Sequence, residues 1–132
     1  MITPKIKDDV LRSFIQFGMR CETNVRKDCS DFNLTYEEYD ALIRQFEELN
    51  LLNARRCLGG RTIIQLNVNA HDLINRGGFY AQEELLKANI EKLSLELQSL
   101  VKQLEPSLAK KAKEILSLGA NILSATSVLW NG

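Results

Sequence analysis

The chain has 132 residues, and its composition of 45% hydrophobic and 7% aromatic side chains excludes an intrinsically disordered protein. The formal net charge is zero, and basic and acidic side chains are balanced on either side of Tyr80, which excludes a strongly basic nucleic-acid-binding domain. All the arginines nevertheless lie before position 77, and a guanidinium is a better donor than an ammonium to phosphates and base edges.

The first predicted helix spans residues 5–17. Thr3 followed by Pro4 is typical of an N-cap with proline at the first helical position. The apolar side chains recur at helical spacing at Ile6, Val10, Phe14 and Phe17. The pattern then weakens and predicts only a short second helix near residues 24–30, with Thr23 as its N-cap.

The third predicted helix has the clearest start in the chain. Thr35 as N-cap and Glu38 three residues later form a capping box, in which each side chain binds the backbone N–H of the other residue. The apolar face that follows consists of Tyr39, Leu42, Ile43, Phe46 and Leu49. These signals predict a helix that runs to about Leu49.

A β-hairpin follows this helix, with strands predicted at residues 52–57 and 61–68. Gly59 and Gly60 can adopt the positive φ angles that a tight turn requires, and apolar and polar residues alternate in the second strand. We call this hairpin the wing. A short helix capped by Asn69 is predicted to follow it.

Two long helices are predicted in the last third of the chain. The first carries a heptad seam at Leu86, Ile90, Leu93, Leu97, Leu100 and Leu104. After a break at Pro106, a second seam comprises Leu108, Ala112, Ile115, Gly119, Ile122, Thr126 and Leu129. Two seamed helices joined by a short break should fold back as an αα-hairpin.

Both long helices carry more apolar residues than one partner helix can cover. We therefore expect a homodimer through these helices. The predicted contacts are Leu86, Ile90, Leu93, Leu97, Leu100, Leu104, Ile115 and Ile122. The charge-free stretch 115–131 is shorter than a membrane span and contains several Ser, Thr and Asn residues, so a membrane partner is not expected.

Together these elements predict a mainly α fold with a small β-hairpin wing. A winged helix-turn-helix domain occupies residues 1–76, and two long C-terminal helices, an αα-hairpin, occupy residues 79–132.

Residues 34–74 resemble the winged-helix domains of small, mostly uncharacterised bacterial and phage proteins. The resemblance is carried by the Thr-Tyr-Glu-Glu helix start at 35–38, the helix end at 46–52 and the segment 64–73. Ala70 departs from the pattern, since such families usually have glycine there. The resemblance implies a winged helix, with nucleic-acid binding as a family tendency.

The sequence has no catalytic motif, such as a nucleophile elbow or a phosphate-binding glycine loop, so an enzyme is not expected. The odd number of cysteines and the lack of a signal peptide indicate a reducing, cytoplasmic setting. A zinc site formed by Cys21, Cys29, Cys57 and His71 is an alternative to simple thiols. None of the cysteine spacings matches a zinc knuckle, so no cofactor is expected.

Two hypotheses for function remain, and both involve binding. The first is a dimeric, transcription-regulator-like protein that binds double-stranded DNA. Its predicted contacts are Arg55, Arg56 and Arg61 of the wing, Arg44 and Gln45 of the third helix, and Arg26 and Lys27 of the second. The third helix also carries the phosphate-repelling side chains Glu37, Asp40, Glu47 and Glu48. They favour the alternative, a protein–protein interaction module that binds no nucleic acid.

Overall fold

The computed structural model describes the backbone of residues 2–131 and the side chains of residues 2–124. The chain divides into two compact units, Met1–Tyr80 (unit 1) and Ala81–Gly132 (unit 2). The predicted fold class is confirmed, because the protein is mainly helical, with a small antiparallel sheet and two long C-terminal helices. The assignment of residues 1–76 and 79–132 to separate domains stays a prediction.

Over residues 2–80, unit 1 contains three strands and four helices, and a fifth helix begins at its end. Their order is α1 (Pro4–Ile15), β1 (Arg20–Asn24), α2 (Val25–Asp28), α3 (Tyr36–Glu48), β2 (Leu52–Arg56), β3 (Arg61–Leu66), α4 (Val68–Asn75) and α5 (Gly78–Val101). A 3-10 turn at Cys29–Phe32 follows α2, and another at Leu58–Gly60 joins β2 to β3. The β2–β3 hairpin is the predicted wing, and the order of elements is compatible with a winged helix.

The local signals at two helix starts are confirmed. The Thr3 hydroxyl accepts a hydrogen bond from the Ile6 N–H, and both halves of the capping box between Thr35 and Glu38 are present. The N-cap of the second helix was predicted wrongly. It is Asn24, whose side chain accepts from the first amides of α2, whereas Thr23 lies at the end of β1.

The sheet has a third strand that the sequence did not predict. Its order is β1-β3-β2, and both pairings are antiparallel. In β1, Cys21 pairs with Ile64 and Thr23 pairs with Thr62. The five residues of β1 contain no Val, Ile, Leu or aromatic side chain, so the strand owes its conformation to pairing with β3.

The core of unit 1 lies between the helices and one face of the sheet. Its largest fully buried side chains include Leu11, Tyr39, Phe46, Leu52 and Ile64. The Tyr39 hydroxyl lies 2.7 Å from the Thr23 hydroxyl, which donates to the Asp28 carboxylate. These buried polar groups are thus hydrogen-bonded, and burial raises the pKa of Tyr39.

A second buried carboxylate fixes the start of α5. Asp8 of α1 is 2% exposed and accepts hydrogen bonds from the backbone N–H groups of Phe79, at 2.6 Å, and Tyr80, at 3.0 Å. It therefore satisfies first-turn amides that have no partner within the helix. Gly78 has a φ of +77°, and an added Cβ would collide with the Asp8 carboxylate. Only glycine fits this contact without strain.

Unit 2 consists of the rest of α5 and of α6 (Pro106–Asn131), joined by residues 102–105. The two helices approach closely at Gly119, where an added Cβ would lie 3.2 Å from the Ser94 hydroxyl and 3.4 Å from the Ile90 side chain. Thr126 and Leu129 of the predicted second seam lie outside the residues whose side chains are described. No helix, over its described residues, is long and apolar enough to cross a membrane.

The contact between Asp8 and α5 leads to a stability prediction. Replacing Asp8 with Ala removes the carboxylate that accepts from the Phe79 and Tyr80 N–H groups, which should lower the free energy of unfolding by about 2 kcal/mol. Gly78→Ala should also destabilise the protein, because Ala is strained at this φ and its Cβ would contact Asp8.

Urea unfolding of the full chain, followed by circular dichroism, measures both effects. Asp9→Ala is the matched control, since Asp9 is the exposed neighbour of Asp8 on the same helix. Its substitution should change the unfolding free energy by less than about 0.5 kcal/mol. Equal losses in Asp8→Ala and Asp9→Ala would contradict the capping role.

Candidate nucleic-acid interface

A groove of about 470 Å³ lies between α2, α3 and the β2–β3 hairpin. Each of the three elements contributes one arginine to its lining: Arg26 from α2, Arg44 from α3 and Arg56 from β2. The α3 wall also carries Glu37 and Asp40. The groove therefore combines three guanidinium groups with two carboxylates, and we treat it as the candidate interface.

The arginines of this groove are not all free to bind a ligand. The Asp40 carboxylate accepts one hydrogen bond from Nε of Arg44 and one from Nε of Arg56, both at 2.9 Å. Arg56 also donates from Nη1 to Glu47 at 3.0 Å. Partial burial acts to raise the pKa of Asp40, but the two guanidinium groups outweigh it and hold that pKa below its usual range. Arg56 thus ties the hairpin to α3 through two carboxylates.

The three predicted arginines of the wing do not form one patch. Successive side chains of a strand point to opposite faces, so Arg56 shares the face of buried Leu52, next to α3, whereas Arg55 lies on the opposite face. Arg55 is exposed, and no described residue forms an ion pair with it. We call the face that carries Arg55 the outer face of the sheet.

Arg61 also lies away from the groove. Its guanidinium donates two hydrogen bonds to Glu22 of β1, from Nε at 3.0 Å and from Nη2 at 2.5 Å. This hydrogen bonding lowers the pKa of Glu22, as expected for a carboxylate paired with a cation. Both side chains are more than half exposed, so solvent weakens the pair and a phosphate can compete for Arg61.

The cations of α2 lie beside the tip of the hairpin. The aliphatic part of Arg26 packs near Gly60, and the Asn24 side-chain amide donates to the Gly59 carbonyl at 3.3 Å. Lys27 is exposed and follows Arg26 on α2. Gln45 is half-buried and is not among the residues that line the groove. That any of the predicted residues contacts nucleic acid stays a prediction.

Sequence reasoning missed the carboxylate partners of these arginines, although two signals were present. Asp40, Arg44 and Glu47 are spaced i, i+4 and i+7, which puts them on one face of a helix. Leu52 and Arg56 are four residues apart in a strand and so share a face. Together the spacings place Arg56 towards the acidic side of α3. The pair of Arg61 with Glu22 had no such signal, since β1 was not predicted.

The cysteines are free thiols, and burial raises the pKa of Cys21, which disfavours its thiolate. Nε2 of His71 lies 3.0 Å from the sulfur of Met19. Within the part of the chain that the structure describes, His, Cys, Asp and Glu side chains form no group of three that could hold a metal ion. The groove is thus the feature of unit 1 that gathers the predicted site residues, namely Arg26, Arg44 and Arg56.

Comparison with known proteins gives little further information. No protein-family model matches the chain, and no curated protein matches it. Among solved structures it is similar to one described as a transcriptional regulator, with 12% sequence identity and a TM-score of 0.33. The match covers 96% of this chain and 95% of that chain. At this TM-score, neither fold nor function is inferred from the likeness.

The pairing of Asp40 leads to a prediction on pH dependence. A carboxyl whose pKa is lower in the folded than in the unfolded state stabilises the fold above the unfolded pKa, and this stabilisation is lost as the pH falls through the folded pKa. Asp40→Asn should therefore destabilise the protein at neutral pH, and its difference from the wild type should shrink as the pH falls below about 4.

Urea unfolding at a series of pH values measures this difference. Glu48→Gln is the control, because Glu48 is an exposed carboxylate of the same helix that forms no ion pair with a described residue. It should leave the unfolding free energy nearly unchanged. A difference for Asp40→Asn that is constant across the acidic range would show that ion pairing of Asp40 contributes nothing.

Proposed function

We propose that the chain is a dimeric, regulator-like protein that binds double-stranded DNA, with α3 facing the major groove and the β2–β3 hairpin beside the adjacent backbone. The observation that carries this proposal is the convergence of arginines from three elements, Arg26, Arg44 and Arg56, on one groove. A phosphate that enters the groove meets cations on every wall. The proposed function of the protein is binding and not catalysis.

The availability of these cations decides how tightly DNA binds. Arg26 and Lys27 have no ion-pair partner among the described residues, and neither has Arg55. The Arg44 side chain is 64% exposed, so its pair with Asp40 can rearrange at little cost. Arg56 is less available, because two carboxylates bind it and its side chain is 34% exposed. Within the groove and beside it on α2, DNA binding should thus depend mainly on Arg26, Lys27 and Arg44.

The carboxylates of α3 oppose this binding and set its strength. Glu37 and Asp40 line the groove, and Glu47 binds Arg56 at its edge. Each carboxylate repels phosphate and cancels part of the attraction of a neighbouring arginine. The proposed interface therefore binds DNA with modest affinity. Since partial neutralisation leaves only a few phosphate contacts, the salt dependence is shallower than that of a strongly basic interface.

The same charge compensation favours a second candidate function, a protein-interaction module. With Asp40 and Glu47 paired to arginines, the groove is of mixed charge and also exposes Tyr36 and Ala41. A peptide with apolar and charged side chains would suit such a surface better than a polyanion. This candidate would be supported if the protein failed to bind DNA but did bind a peptide in this groove.

The dimer of this proposal rests on exposed apolar side chains of unit 2. In α5, Leu86, Leu93 and Leu100 are about half exposed or more, whereas Ile90 and Leu97 are half-buried. Leu104, the last member of this seam, lies in the segment after α5 and is also half-buried. In α6, Leu108, Ile115 and Ile122 are exposed, whereas Ala112 is buried. Every second seam position thus remains in contact with water. We propose that a second copy of unit 2 covers these rows.

The DNA-binding proposal is tested by fluorescence anisotropy with mixed-sequence duplex DNA over a range of salt concentrations. Each arginine that contacts phosphate contributes twice in a dimer. Arg26→Ala and Arg44→Ala, which each remove an exposed arginine of the groove, should therefore weaken binding and flatten the slope of log K against log salt by about two. Arg12→Ala, which removes an exposed arginine of α1 outside the groove, should leave the slope unchanged.

Two outcomes would refute this assignment. One is no binding at about 50 mM salt, where phosphate contacts are strongest. The other is binding with the same salt slope in Arg26→Ala, Arg44→Ala and the wild type. Either result would leave the protein-interaction module as the preferred function.

The dimer is tested by sedimentation equilibrium of the full chain. Leu93 is 62% exposed, so Leu93→Asp should leave the fold of the monomer intact but place an unpaired charge in the proposed interface. We expect a wild-type dimer and a monomeric variant. Gln98→Asp adds the same charge at an exposed polar position of α5 and should remain dimeric. A wild type that is monomeric at tens of micromolar would rule out the dimer.

A further inference from the structure

Leu58 is the most exposed large apolar side chain among the described residues, with 97% of its surface accessible. It lies in the turn between β2 and β3, at the tip of the hairpin. An isolated exposed leucine is common on protein surfaces and needs no special explanation. The position of Leu58 differs from that case in two respects, the rigidity of the turn and the charges around it.

The turn that carries Leu58 is held in place on both sides. The Cys57 N–H donates to the Arg61 carbonyl at 2.7 Å and closes the hairpin below the tip. The Asn24 side chain donates to the Gly59 carbonyl from the start of α2. Gly60 packs so closely on Arg26 that an added Cβ would lie 3.1 Å from its side chain. Leu58 therefore projects from a braced backbone, and inserting it into a partner costs little conformational entropy.

The surroundings of Leu58 are charged rather than apolar, with two arginines and the Glu22 carboxylate that binds Arg61. Arg26 packs against the tip, and Arg61 begins the strand that follows. Cys57 and Gly60, which flank the tip, also line the groove faced by α3. A partner protein that bound a leucine anchor would need a surrounding apolar surface, which these cations do not offer. A duplex instead offers phosphates to the arginines and stacked bases to the leucine.

We infer that Leu58 is an apolar wedge, which enters the minor groove beside the major groove faced by α3 and partly unstacks one base step. Proteins that bend DNA towards the major groove use leucine and similar side chains in this way, with cations on the flanking phosphates. Pyrimidine–purine steps unstack most easily, so a TA or CA step is the expected target. This inference rests on the proposed DNA-binding function and adds a bend and a preferred step to it.

The test uses the full-length protein and duplexes labelled at both ends for energy transfer, with 2-aminopurine at a central TA step. The wild type should shorten the end-to-end distance and raise the 2-aminopurine fluorescence. Leu58→Ala should abolish both signals and weaken binding to this duplex about tenfold, as expected for the loss of a buried leucine contact. Its salt slope should stay unchanged, because no phosphate contact is removed.

Leu49→Ala is the control, since it truncates another exposed leucine of unit 1, at the end of α3. It should bend the duplex as the wild type does. Circular dichroism should show both variants folded, because each position is exposed. Binding without bending, or bending that persists in Leu58→Ala, would overturn the wedge but leave the DNA-binding function intact. A complete absence of DNA binding would overturn both.

Discussion

The pairing of Asp40 with Arg44 and Arg56 determines both the shape and the charge of the candidate interface. The Asp40 carboxylate binds Arg56 of the β2–β3 hairpin from α3, and Asp40 is one of the residues that line the groove between them. It also neutralises much of the charge that would attract a polyanion. The same interaction thus shapes the candidate interface and limits its affinity for DNA. Glu47 also binds Arg56, two turns further along α3, and so adds to the contact between α3 and the hairpin and to the neutralisation of Arg56.

Features that depend on neighbouring residues could be predicted from the sequence. The capping box at Thr35 and the hairpin turn at Gly59 and Gly60 are set by the chemistry of a few consecutive positions, and both are present. Features that depend on distant residues could not. Strand β1 has no pattern of its own and forms because β3 offers it a pairing edge. The cap that Asp8 provides for α5 joins positions far apart in the chain.

The residue types of the candidate site could be predicted from the sequence, but the faces to which their side chains point could not. The arginines of the hairpin were expected to act together. The alternation of β2 and β3 instead puts Arg55 and Arg61 on the outer face and Arg56 on the face next to α3. The same is true of the heptad seams of unit 2. Heptad spacing predicts an apolar stripe on each helix. Which residues of that stripe α5 and α6 bury against each other depends on their close approach at Gly119, which exists only in the folded protein.

We propose that the groove between α3 and the hairpin is the DNA-binding surface. Backbone amide chemical shifts of the full chain, titrated with mixed-sequence duplex at about 50 mM salt, test it most directly. The account predicts that shift changes concentrate at α2, the exposed side of α3 and the hairpin tip, including Arg26, Arg44 and Gly60. Changes confined to α1 and α4 or to unit 2, or no changes at all, would contradict it.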